Sequence, residues 1–113
     1  MVIYLDGFER KEVTINATKD VEKGKTVEFT DSYTVDRTID GHIFDGVCTH
    51  VDNGLASVQL KGYAKVTYTG TAPAYGYSKL TADGKGGVKA DENGRYVLVT
   101  NIDTDSKTCG IIL

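Results

Sequence analysis

A chain of 113 residues, 40% of them hydrophobic, has the length of one domain and can bury a modest core without metal or disulfide staples. A net charge of −3, with no basic run longer than Arg10-Lys11, argues against a nucleic-acid binder, which needs clustered Lys and Arg. No stretch approaches the ~18 apolar residues of a membrane span. Two cysteines are too few for a disulfide framework, so Cys48 and Cys109 are expected as buried thiols.

Thirteen glycines against one proline, among many Val, Thr and Tyr, predict an all-β chain of short antiparallel strands and tight turns, with little helix. Residues 1–12 read as an N-terminal arm or edge segment. Its apolar side is Ile3, Leu5 and Phe8, and the charged run Glu9 to Glu12 is solvated. It lacks the basic lead and long apolar centre of a secretory signal, so synthesis and retention in a cytoplasm are expected.

Residues 13–113 read as a single β-barrel domain. Val13 to Thr18 is a first strand, with Val13 and Ile15 on one face. Lys25 to Thr30 follows, with Val27 and Phe29 opposed to Thr26 and Glu28. A polar stretch from Asp31 to Gly41 holds a short strand at Tyr33 to Val35. Phe44 to Val51 is next, and Asn53-Gly54 signals a hairpin because both residues tolerate positive φ. Leu55 to Lys61 alternates, with Ala56, Val58 and Leu60 inward and Ser57, Gln59 and Lys61 outward. Gly62 breaks the run at a bend. Tyr63 to Thr69 alternates again, with Ala64, Val66 and Tyr68 inward.

Gly70 to Gly76 is a turn-rich crossover around Pro73. Short strands at Lys79 to Thr81 and Val88 to Ala90 flank a glycine-rich turn, and Asn93-Gly94 signals a second hairpin. Arg95 to Ile102 and Thr108 to Leu113 complete the chain. An internal echo runs through it. Gly24, Phe44 and Val47 recur 52 positions on as Gly76, Tyr96 and Val99. After a turn one residue longer, Ala56, Val58 and Leu60 recur as Cys109, Ile111 and Leu113. The echo predicts a pseudo-symmetric barrel of two similar halves and an inward Cys109.

Catalytic patterns fail one by one. His42 and His50 have no partners that complete a metal site, and the acidic loops do not match a calcium loop. Gly84-Lys85-Gly86-Gly87 lacks the order and the helix of a phosphate loop, and no nucleophile elbow is present. No enzyme activity, cofactor or metal is expected. Seven tyrosines remain as the enrichment, several around Gly54–Gly76. Tyrosine suits contact surfaces, because its ring is apolar and its tip polar, and it equally suits strands and barrel ends.

The order Val21-Glu-Lys-Gly24-Lys-Thr-Val27, Phe44-Asp-Gly46-Val47, Gly54-x-Ala56-x-Val58-x-Leu60-x-Gly62 resembles the small decoration, or cement, proteins of tailed-bacteriophage capsids. Thr69-Gly70-Thr71-Ala72-Pro73, Gly76-x-x-x-Leu80 and the closing Gly110-Ile-Ile-Leu113 continue the likeness over residues 13–113. Each motif is short and glycine-based, so the likeness rests on their order. The resemblance implies a small β-barrel or β-tulip-like fold and a non-enzymatic role: binding the major capsid protein, often as a homotrimer, and stabilising the assembled head. The location it implies is the capsid surface of a virion. It carries over no catalytic residues. The contact candidates chosen from the sequence are Ile3, Leu5 and Phe8 of the arm and Tyr75 and Tyr77 of the crossover. The alternative is a carbohydrate- or surface-binding β-module of a phage fibre or baseplate, weakened by the absence of tryptophan.

Overall fold

Alternation and glycine placement set ten strands, and the computed structural model describes residues 3–113. The strands are β1 Lys11–Ala17, β2 Thr26–Asp31, β3 Thr34–Arg37, β4 Gly46–Asp52, β5 Leu55–Lys61, β6 Tyr63–Thr67, β7 Gly76–Ala82, β8 Val88–Ala90, β9 Arg95–Asp103 and β10 Thr108–Ile112. Among the described residues there is no helix. The Asn53-Gly54 hairpin forms as expected, with φ of 50° and 76°, and sets Asp52 opposite Leu55.

The all-β barrel prediction holds, and the echo takes a sharper form. Strands β1-β3-β2-β4-β5 close a five-stranded barrel, while β6-β10-β9-β7-β8 form a second sheet. Read as circles, the two orders are the same, with β6 to β10 taking the places of β1 to β5. The outer strands of the second sheet meet at a parallel bridge, Tyr68 with Val88, where the first barrel has its parallel β1–β3 pair. The two halves are thus two curled sheets side by side, not two halves of one barrel. Gly24 and Gly76 also match in conformation, at φ 83° and 84°.

Register corrects the echo's spacing. In the first barrel β4 bulges at Thr49, and in the second sheet β9 bulges at Thr100, 51 positions on. The hairpin after β4 joins Asp52 to Leu55, and the one after β9 joins Asp103 to Thr108, so the second loop is longer by two residues, not one. Phe44 and Tyr96 are not equivalents in burial: Phe44 is fully buried and Tyr96 is exposed.

Two cores follow. Ile15, Val27, Val35, Cys48, Ala56 and Val58 fill the first barrel. Val66, Leu80, Val88, Val97, Cys109 and Ile111 fill the second, which also takes in Phe44 and Val47 from the first half. Phe44 therefore pins the halves together. Arg95 Nη1 donates to the Phe44 carbonyl at 3.2 Å, and its guanidinium lies 5.4 Å from the ring centroid. Backbone bonds cross the same seam: Thr26 N–H to the Gly86 carbonyl, Gly41 N–H to Ala82, and Ala82 N–H to His42.

Gly62 makes the turn between the halves as a single residue at φ 93°, and a Cβ there would collide with the Phe8 carbonyl. Several side-chain expectations change at the seam. Thr26, expected outward, is buried, while Phe29, expected inward, is exposed beside the register shift between Phe29 and Asp31. Gln59, expected at the surface, is buried because its amide bridges the Lys61 and Tyr63 carbonyls at 3.1 and 2.7 Å. Val13 is 40% exposed rather than core.

The arm is also different from a strand. Leu5 to Arg10 is a turn, closed by Phe8 N–H to the Leu5 carbonyl and Arg10 N–H to Gly7. The Phe8 carbonyl accepts from Tyr63 N–H at 3.0 Å, and β1 begins at Lys11 rather than Val13. Met1 and Val2, within the expected arm, lie outside the described residues.

Candidate functional site

Strand pairing builds one face that core packing does not explain. Alternation sends Ala64, Val66, Leu80, Val97, Val99 and Ile111 into the second core. Their neighbours must then face out. Tyr77 on β7 sits opposite Leu98 on β9, Leu98 opposite Ile112 on β10, and Ile112 opposite Tyr63 on β6. This row crosses four strands, ~14 Å at the usual strand spacing.

Tyr77 is 76% exposed, and Leu98, Ile112 and Tyr63 are half-buried. Beside the row, Tyr96 sits opposite Lys79, whose ammonium lies 5.1 Å from its ring centroid. Such cross-strand pairing holds both side chains out from the sheet. The outward positions of these strands, up to the Thr100 bulge, carry two lysines, Lys65 and Lys79, and no carboxylate. Asp6 of the arm shares a depression with Lys65, and Asp103 at the end of β9 lies close enough to feel its charge.

The arm lies against this face. Ile3, Tyr4, Leu5 and Asp6 wall a shallow depression of about 480 Å³ with Tyr63, Lys65, Thr100 and Asn101. Its polar floor is fixed internally: Tyr63 Oη and Thr100 Oγ1 both donate to Asn101 Oδ1, at 3.2 and 2.8 Å. Ile3 and Tyr4 remain open to solvent.

Of the contact candidates, the fold brings Ile3 and Leu5 beside the row and places Tyr77 in it. Phe8 is 48% exposed, and its carbonyl anchors the arm to β6. Tyr75 is exposed in the loop before Gly76, outside the strands that pair to make the row. The crossover itself is less free than its composition implies, since Pro73 is buried and Ala72 packs against the second core. Sequence reasoning missed Tyr63, Tyr96, Leu98 and Ile112. The outward position of Tyr63 was available from alternation with Ala64. The row itself was not, because it depends on which strands pair.

No family model matches the chain, and no curated protein matches it. The site therefore rests on its own geometry.

Groups with catalytic potential lie elsewhere and apart. His42 Nδ1 sits 3.1 Å from Glu28 Oε2 on the exposed side of the first half. Cys48 and Cys109 are free thiols in different cores. Burial pushes the Cys109 thiol up to about 11 and raises that of Cys48 as well. Among the described residues no three His, Cys, Asp or Glu side chains gather at ligand distance.

Proposed function

We propose that this chain is a non-catalytic structural protein that decorates an assembled phage or prophage capsid, binding the major capsid protein through the outer face of its second sheet. The carrying observation is the row Tyr77-Leu98-Ile112-Tyr63, flanked by the arm. Large amphipathic side chains held on a sheet give contact area at low entropic cost, which is the composition of a binding face. The partner and the virion location come from the resemblance of the motif order to capsid decoration proteins.

Stabilisation would follow from contact alone. Each copy adds a small interface across neighbouring capsid subunits, and many copies on one lattice act together. A trimer at a symmetry axis belongs to the same reading.

The alternative, a carbohydrate-binding module, draws on the same tyrosines. Lys79 over the Tyr96 ring leaves Tyr77 as the more open stacking surface.

Co-sedimentation with heads of the encoding phage that lack this protein separates the two readings, run beside a glycan array. Capsid binding that is lost in Tyr77→Ser/Tyr96→Ser supports decoration. Glycan binding without head binding reverses the order.

A further inference from the structure

We infer that the slot between the two sheets receives an extended partner segment of alternating acidic and apolar residues, added as a short strand to the open edge of β6. This does not depend on the capsid reading. It concerns the backbone edge of β6 and the slot beside it, which the outer face borders at Tyr63 and Lys65.

The edge is open by register. Leu113 N–H bonds the Gly62 carbonyl and Tyr68 N–H bonds the Lys107 carbonyl, so residues 62, 64, 66 and 68 turn their backbone groups toward β10. Residues 63, 65 and 67 turn theirs the other way. Tyr63 is satisfied there, its N–H by Phe8 and its carbonyl by Gln59. Lys65 N–H, Lys65 C=O and Thr67 N–H have no partner among the described residues.

The first barrel shows what normally fills this position. There Asn16 N–H bonds the Tyr33 carbonyl and Thr18 N–H bonds the Val35 carbonyl. The equivalent of the second bond exists, Thr69 N–H to Val88. The first has no counterpart, because the carbonyl in the place of Tyr33, that of Gly86, is turned across the seam to Thr26 N–H. Joining the two halves thus leaves β6 one closing strand short.

A cavity of about 340 Å³ lies along that edge, with Val47, Cys48 and Ala64 on its apolar floor; Lys23, Lys65 and Arg10, the last paired with Glu12, line it with one carboxylate, Asp6, so the lysines leave it net positive. Exposed strand edges pair with extended peptides through main-chain bonds, and alternate side chains set specificity. A residue paired with Lys65 shares the outward face with its ammonium and should be acidic. Its two neighbours point at the floor and should be apolar. A second copy offering its own β6 would set Lys65 against Lys65, the arrangement by which lysine blocks edge pairing.

The test is titration of the ¹⁵N-labelled full chain with capped Glu-Val-Glu-Val-Glu and, in parallel, Lys-Val-Lys-Val-Lys. The expected result is saturable shifts centred on the Lys65, Thr67 and Lys23 amides, at least tenfold tighter for the acidic peptide and weakened by 1 M salt. Lys65→Pro removes the solvent-side donor together with the ammonium, at a position where an edge strand tolerates proline, and should lower affinity at least tenfold and more than Lys65→Ala, which removes the ammonium alone. Lys65→Glu keeps the donor and should weaken the acidic peptide while improving the basic one, with an unchanged amide spectrum away from β6 confirming that the fold is kept. Absence of saturable binding, equal binding of both peptides, shifts centred on Tyr77 and Leu98, or slow exchange of the Lys65 amide in the free protein would each overturn the inference.

Discussion

Thr49 and Thr100 sit at equivalent bulges in the two halves of the molecule. Each Oγ1 lies 3.2 Å from a carbonyl on the next strand, Ser57 for one and Gly110 for the other, but the single Thr100 proton also has Asn101 Oδ1 within reach at 2.8 Å. A bulge leaves one residue unpaired in the ladder, and a threonine hydroxyl satisfies a carbonyl beside it. Replacing either with valine should cost about 1 kcal/mol, the net worth of one such bond. Equal losses in urea melts of Thr49→Val and Thr100→Val would fit two equivalent bulges. A loss in only one would show that the likeness is not energetic.

Phe44 makes the halves one cooperative unit. Phe44→Ala should destabilise by about 3–5 kcal/mol through the cavity it opens in the second core. It also strips Arg95 of its ring contact. Calorimetry should show a single transition in the wild type, and a split into two in the variant would locate the coupling at this side chain.

Gly62 and Gly24 separate strain from collision. Both lie at positive φ, but only Gly62 has backbone in the path of a Cβ. Gly24→Ala should cost ~1–2 kcal/mol, the usual left-handed penalty. Gly62→Ala should cost ~3 kcal/mol or more. Chemical denaturation measures both, and a reversed order would contradict the close approach of Phe8.

Acid should loosen two turns. Backbone N–H groups of Ser106 and Asp105 hold the Asp103 carboxyl below its usual range, and Asn93 N–H does the same for Asp91. Their folded values lie below the unfolded ones. Their contribution is therefore complete above the unfolded carboxylate value, near pH 4, and is lost as pH falls through the folded values. Melting temperature should drop less between pH 5 and 3 in Asp91→Asn/Asp103→Asn than in the wild type. Parallel curves would remove these carboxylates from the acid response.

All ten strands were legible because each is a short alternating run bounded by glycine or polar turns, and Leu55–Lys61 and Val88–Ala90 match residue for residue. Partner-dependent features were not legible. Thr26 and Gln59 look like surface residues in their own strands; Thr26 is buried where its N–H bonds the Gly86 carbonyl of the second half, and Gln59 where its amide bridges the Lys61 and Tyr63 carbonyls. Phe44 lies just before β4 in the first half, yet serves the core of the second. Tyr77 was chosen for its composition. Its neighbours Leu98, Ile112 and Tyr63 come from three other strands, so the candidate face exists only after the sheet order 6-10-9-7 is known.

Cryo-electron microscopy of heads incubated with the full chain tests the proposed role most directly. Added density in which the Tyr77–Tyr96 face and the Ile3 arm meet the capsid surface, absent with Tyr77→Ser/Tyr96→Ser, is the expected result. Heads that stay bare at saturating protein, or density with that face turned to solvent, would contradict it.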